Sequence, residues 1–243
     1  MRQIIKIIAL LIIANPINAQ ERITVWAENF PPYGYKDEAG KIVGLSTDVV
    51  QCIVMDSGIG IDAWIIAPWA RAYYQTQFNP NTVLYTVVGN TERRKTFHLI
   101  GPVSDRKQYL YKLASRKDIV VNSIEDAKKY QIGAVSGTAV TDLILSKGLR
   151  PYEVPNHDQT IKMLLAGRLD LVVHLDYSLA HIAKNIGVEF STFEPVLLFD
   201  DSEKYYIALN KDSSPSIVKK FRRSFKKLED SGELTKIQQK YLQ

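Results

Sequence analysis

The sequence predicts an α/β protein of two lobes, each a mostly parallel sheet flanked by helices, with two hinge crossings between them. Three observations predict it. Apolar runs of strand length alternate with helical stretches in the order βαβαβ over the first ninety or so residues. A second unit of the same kind begins after residue 112. The chain then returns to a strand at 205–209 (YYIAL) and ends in two helices, so its tail rejoins the first unit.

The elements follow in order. Residues 23–27 (ITVWA) form a strand, residues 30–33 an aromatic turn stiffened by Pro31 and Pro32, and residues 37–40 (DEAG) a hairpin turn. A helix over 46–55, a strand over 61–66, a helix over 69–77 and a buried strand over 83–88 (VLYTVV) complete the first unit. A polar turn carrying Thr91 and Arg94 follows. In the second unit a short helix over 123–129 is capped by Ser123, with Asp126 three residues on. A strand at 132–135 leads through Ser136-Gly137 to a helix over 139–147 that Gly148 ends. Then come a strand at 152–154, a helix over 157–166, a strand at 169–175 and a helix over 178–185. The hinge crossings are expected near 107–110 and 198–202. Clefts between such lobes, at the carboxyl ends of strands, are where ligands bind.

Residues 1–19 read as a cleaved export signal. Arg2 and Lys6 precede eight apolar residues at 7–14, Pro16 breaks the run, and Ala19 supplies the small residue at the cut. The run is shorter than the roughly 20 residues that span a bilayer. The mature chain is therefore expected to start at Gln20 and to be soluble in a periplasm. The one cysteine, Cys52, is far from the cut and lies among Val49, Val50, Ile53 and Val54. It offers no lipid attachment point at the cut, no disulfide, and the profile of a core residue.

Composition is that of a globular protein, with 46% hydrophobic and 23% charged residues. Removing Arg2 and Lys6 from 31 basic residues leaves 29 against 26 acidic ones, a net charge of +3. Much of the excess is Lys219, Lys220, Arg222, Arg223, Lys226 and Lys227, interleaved at helical spacing with Ile217, Val218, Phe221, Phe225 and Leu228. That is an amphipathic helix with a solvated basic face, and no nucleic-acid partner is expected. His98, His157, His174 and His181 lack metal-ligand spacing, so no metal is expected. Neither a nucleophile elbow nor a Walker or dinucleotide loop is present, and no cofactor or catalytic residue is assigned.

Residues 67–102 concentrate the candidate chemistry: Trp69 and Arg71, then the apolar strand, then Arg93-Arg94-Lys95, Phe97 and Gly101-Pro102. An arginine just past an apolar strand suits a carboxylate, because its planar fork donates two parallel hydrogen bonds. A solvated basic turn fits the same residues. Ser136-Gly137-Thr138, between a strand and a helix, presents free N–H donors to an anion, and Ser136 or Thr138 also fits a simple helix cap. Trp69 fits a pocket wall and a packing residue alike.

Five segments carry a resemblance: ITVWAENFPPYGYKDEAGKIVGLSTDVV, TERRKTF with GP, IGAVSGTAV, AGRLDLVVHLD, and the tail IALNKDSSPSIVKKFRRSFKKLEDSGELTKIQQKY. In order and spacing they resemble the bacterial extracellular solute-binding proteins of family 3, the periplasmic amino-acid-binding components of ABC transporters. The resemblance covers the whole mature chain. It implies a type II periplasmic-binding-protein-like fold that closes on a small molecule, commonly an α-amino acid, and hands it to an ABC permease in the inner membrane. The expected division is 1–19 signal, 20–109 first lobe, 110–199 second lobe and 200–243 returning to the first, in a monomer. Carried over by motif, Arg94 pairs with the ligand carboxylate and Thr138, with Ser136 beside it, holds the same group. Phe30 and Tyr33 form the ligand's side-chain wall, joined from the first lobe by Trp69, and Arg71 beside it is a further ligand-binding candidate, as is Asp176.

Two departures from the family pattern stand out. Gly44-Leu45 is followed by Ser46 in place of an acid. The acid expected five residues after Asp170 to hold an ammonium is Leu175, and a carboxylate comes one residue later at Asp176. A one-residue slip turns a strand side chain to the other face. The chain is expected to bind and not to catalyse. A periplasmic lyase resembling cyclohexadienyl dehydratase, and a sensing module for a membrane receptor, are the alternative readings.

Overall fold

The computed structural model describes residues 20–242; the expected export signal, residues 1–19, lies outside them. The first part of the chain runs β1 (Arg22–Ala27), β2 (Tyr35–Lys36), β3 (Ile42–Val43), α1 (Leu45–Ser57), β4 (Gly60–Ile66), α2 (Trp69–Phe78), β5 (Thr82–Val88), α3 (Thr91–Thr96) and β6 (Phe97–Ser104). The second runs β7 (Gln108–Leu113), α4 (Ile124–Ala127), β8 (Ile132–Val135), α5 (Ala139–Ser146), β9 (Pro151–Val154), α6 (His157–Leu165), β10 (Leu171–His174), α7 (Asp176–Asn185) and β11 (Phe193–Asp200). The tail supplies β12 (Tyr205–Asn210), α8 (Pro215–Asp230) and α9 (Glu233–Tyr241).

Two five-stranded sheets result, in the orders β4-β1-β5-β12-β6 and β11-β7-β10-β8-β9. In the first, β4, β1 and β5 are parallel while β12 runs antiparallel to β5 and β6. In the second, β10, β8 and β9 are parallel while β7 and β11 are antiparallel additions. Each lobe is thus a parallel centre edged by antiparallel strands. Among the described residues no helix is long and apolar enough to cross a membrane.

Local sequence explains the elements. Every residue of β5 is buried, as a central strand covered on both faces requires, and TVLYTVV is correspondingly apolar. In α1, Leu45, Val49, Val50 and Ile53 face the core. The entry to α1 demands glycine at position 44, where φ is 129° and an added Cβ would lie 2.5 Å from the Tyr33 carbonyl oxygen. In α8, Ile217, Val218, Phe221, Phe225 and Leu228 are buried while Lys219, Arg222, Arg223, Lys226 and Lys227 stay exposed. A fully buried Phe221 alone contributes about 1.5–3 kcal/mol of apolar burial.

Four elements go beyond the sequence reading. The expected polar turn after β5 is a helix, α3, capped by Asn90, whose side chain accepts from the Arg93 N–H at 2.9 Å. Strands β6, β7 and β11 also exceed it. β6 carries Pro102 and β11 carries Pro195, residues that argue against an interior strand. Both strands are sheet edges, where a missing N–H is tolerated, and β11 shifts register at Pro195. β7 begins at residue 108, inside the span 107–110 expected for the first crossing.

The chain passes between the sheets at residues 105–107 and 201–204. The two crossings are tied to each other. Arg106 donates to the Asp200 carboxylate and to the Gln108 side-chain oxygen, and Lys204 reaches Asp105 at 2.8 Å. The Arg106 side chain is 1% exposed and that of Asp200 10%. Buried pairs of this kind are costly to break because one charge is left uncompensated.

His174, at the end of β10, is 2% exposed, and its Nε2 has no hydrogen-bond partner. Burial, aided by nearby His157, pulls its pKa from 6.5 down to about 3, so the folded ring is neutral.

Two outcomes are expected. Arg106→Met should lower unfolding free energy by about 3–5 kcal/mol, read by urea titration. Because the unfolded chain takes up a proton on His174 that the native state refuses, stability should fall as pH drops below about 6.5 toward 3. Between pH 7 and 4.5 the wild type should lose about 2–3 kcal/mol more than His174→Gln. Parallel losses in the two proteins would show that His174 is not the titrating group.

Candidate functional site

Between the lobes lies a narrow cleft with a cavity volume of about 50 Å³. From the first lobe it is lined by Glu28 and Phe30 just beyond β1, Trp69 at the start of α2, Arg93 on α3 and Tyr205 on β12. The second lobe contributes the end of β8, the first turns of α5 and α6, and Val173 on β10. The carboxyl ends of parallel strands meet helix N-termini here, as in open α/β sheets generally.

Arg93 is 5% exposed. Its guanidinium carbon sits 5.0 Å from the Trp69 ring centroid and 5.4 Å from that of Tyr73. Among the described residues no carboxylate lies within ion-pair distance of it, and its side chain makes no protein hydrogen bond. Burial pulls its pKa below the usual arginine range, Tyr73 and Asp142 oppose that, and Arg106 adds to it. An arginine nonetheless stays protonated in a protein. The site therefore holds a desolvated, unpaired cation stacked on aromatic faces.

Glu28 is the only carboxylate, and Arg93 the only guanidinium, among the described residues lining this cleft. Glu28 Oε1 is buried without a hydrogen-bond partner, while Oε2 lies 3.7 Å from His157 Nε2. The His157 ring stacks on Phe30 at 4.3 Å and 21°. His174 stands 5.2 Å behind His157. Although this acid and the two imidazoles gather on one side, no three such groups converge as a metal-ion set among the described residues.

At the other wall Thr138 caps α5. Its hydroxyl donates to the Val135 carbonyl at 2.8 Å and accepts from the Thr141 N–H at 3.4 Å. The first-turn N–H groups of Ala139 and Val140, both cleft residues, have no intrahelical acceptor. Thr86, on β5, lines the cleft with φ at 61°, a conformation that costs a β-branched residue about 1–3 kcal/mol and clusters at functional sites.

Of the residues singled out from sequence, Phe30, Trp69 and Thr138 line this cleft. Ser136 is half-buried beside it, its N–H tied to the Val154 carbonyl at 2.9 Å. Tyr33 is 1% exposed and packs behind Phe30 at 5.4 Å, a core residue supporting the wall. Arg71 is exposed and outside the cleft. Arg94 is outside as well: it is exposed and lies over the Tyr206 ring at 4.9 Å. The cause is the cap. Where a polar turn was expected, Asn90 caps a helix in which Arg93 takes the inward position, and one residue further on is about 100° around the axis. Asp176 is exposed and accepts from the Tyr111 hydroxyl, facing a separate hollow, while Leu175 is in the core. The slip seen in the sequence thus takes this carboxylate out of the cleft.

Arg93, Glu28 and His157 were not singled out from sequence. Asn90 is a strong N-cap residue, a local signal for the short helix that carries Arg93. Glu28 directly follows a strand's carboxyl end, a weak signal, and nothing local marks His157 as its neighbour.

The chain's residues 23–243 match the family model described as bacterial extracellular solute-binding proteins, family 3. No curated protein sequence matches. Among solved structures, an ancestral arginine-binding protein bound to arginine is 22% identical, with a TM-score of 0.79 over 92% of this chain and 99% of that one. A histidine kinase sensor domain with similarity to periplasmic binding proteins is 16% identical, with a TM-score of 0.83 over 92% and 96%. A Salmonella typhimurium periplasmic binding protein of high arginine specificity is 16% identical, with a TM-score of 0.75 over 92% and 100%. At these identities the structures establish the shared fold, and the family match covers all but one of the elements' residues. With two α/β lobes around a cleft that carries one unpaired cation, this chain belongs to the bacterial extracellular solute-binding proteins, family 3.

Proposed function

We propose that this protein is an exported amino-acid-binding protein that closes its lobes on the ligand's charged ends and serves an ABC importer. The observation that carries the reading is Arg93, a buried guanidinium in the cleft with no protein anion beside it. A ligand carboxylate is the group that such a fork accepts, with two parallel charge-assisted hydrogen bonds. The free N–H groups opening α5 face the same space. Glu28 supplies the complementary charge. Its buried, unpartnered Oε1 suits an ammonium or guanidinium of the ligand, so the pair favours a zwitterion over a simple acid. Phe30 and Trp69 offer ring faces to the body between.

The structures similar to this one include proteins bound to or specific for arginine, which supports a ligand with a cationic group. The likeness to a histidine kinase sensor domain supports a second reading, in which the closed form is read by a receptor. Closure itself serves both, because a ligand that contacts both lobes shifts the open–closed equilibrium.

A thermal-shift series on the refolded mature chain tests this. An amino acid at about 1,000 times its dissociation constant adds about 4 kcal/mol, a shift of several degrees. Arg93→Ala should remove about 2–5 kcal/mol of binding, while Arg94→Ala should change it by less than about 0.5 kcal/mol. Equal losses would return the carboxylate to the neighbouring arginine. Glu28→Gln should weaken amino acids at least about tenfold and spare simple carboxylates. Equal weakening of both would remove Glu28 from the cation's partners.

A further inference from the structure

Trp69 belongs to the first lobe, yet its indole Nε1–H donates to the Gly137 carbonyl of the second lobe at 2.8 Å. The ring is 5% exposed, and its face carries the Arg93 guanidinium at 5.0 Å. One side chain therefore supports the unpaired cation and bonds across the cleft. We propose that Trp69 is a positioning residue for Arg93 and, through Nε1, the latch that holds the two lobes closed.

The acceptor is held for this purpose. Gly137 sits at φ 69°, a left-handed turn between β8 and the capping residue of α5. On either side the turn is pinned: the Ser136 N–H donates to Val154, and the Thr138 N–H and hydroxyl both donate to Val135. The Gly137 carbonyl thus has a fixed direction. The approach of the two lobes is close at this point, since a Cβ built on Gly137 would stand 3.9 Å from the Ala70 Cβ on α2. The donor is equally constrained. Trp69 is the first residue of α2, following Pro68, and Tyr73 packs against its ring at 5.8 Å.

The coupling follows from sharing the ring. Arg93 and Trp69 both belong to the first lobe, so opening breaks the bond to Gly137 while the ring stays under the guanidinium. An anion that fixes Arg93 against the ring holds the indole in the orientation from which Nε1 reaches Gly137. The bond joins protein groups, so it also holds part of the ligand-free population closed. Its effect on a ligand is on escape more than on capture, because encounter occurs with the lobes apart.

Three measurements on the mature chain test this. In the ligand-free wild type, the Trp69 indole proton should exchange with solvent at least about tenfold more slowly than a free indole. The Trp64 indole, bonded to Tyr85 within the first lobe, serves as the reference for unlatched motion. Trp69→Phe keeps a ring under Arg93 and removes the donor; small-angle scattering should show a larger ligand-free radius of gyration than wild type. With L-arginine as the probe, Trp69→Phe should speed dissociation about three- to tenfold, the worth of one hydrogen bond, with association little changed. Trp69→Leu, which also removes the ring, should lose further affinity. A fast-exchanging Trp69 indole together with an unchanged radius in Trp69→Phe would overturn the latch. The kinetic arm rests on the carboxylate reading of Arg93. Failure of wild type to bind L-arginine would count against that ligand, while the exchange and scattering results would still decide the latch.

Discussion

A guanidinium taken out of water and given no carboxylate is the constraint around which this cleft is organised. Leaving a charge buried and unpaired costs several kcal/mol, so the fold must hold it in place by other means. Asn90 caps a short helix that turns Arg93 inward, and Trp69 and Tyr73 give its planar face an aromatic seat. The stack offsets part of the desolvation but leaves the forked donor edge unused. What remains is a standing demand for an anion, which no described protein group meets.

In the proposed function that demand is met when the lobes close over a ligand. Both crossings run side by side and are bound by the Arg106–Asp200 pair. The two lobes also touch through Trp69 and Gly137 and through the Phe30–His157 stack. The cleft's two charges sit on one lobe, Arg93 and Glu28, whereas the second lobe offers helix N-termini and apolar walls. In the proposed function the first lobe thus supplies charge recognition and the second supplies N–H donors.

Much of the fold was legible. Hydrophobic period alone located β1, β5, α1 and α8, since each buries the residues its pattern marks. β6 and β11 were hidden by proline, a residue that speaks against a strand unless the strand is an edge, and edge position is set by partners distant in sequence. The aromatic turn, the Thr138 cap and Trp69 were likewise visible as local signals.

By itself the sequence determined the order of strands and helices, the two-lobe class and the segments that border the cleft, because these depend on spacing along the chain. Only the tertiary structure decided which arginine enters it. Arg93 and Arg94 are alike in local pattern, and successive side chains on a helix point about 100° apart. It also decided that Asp176 faces away, that Glu28 meets His157, and that Trp69 reaches the other lobe. Those contacts join residues remote in the chain, and they exist only once both sheets have formed and the crossings have set one against the other.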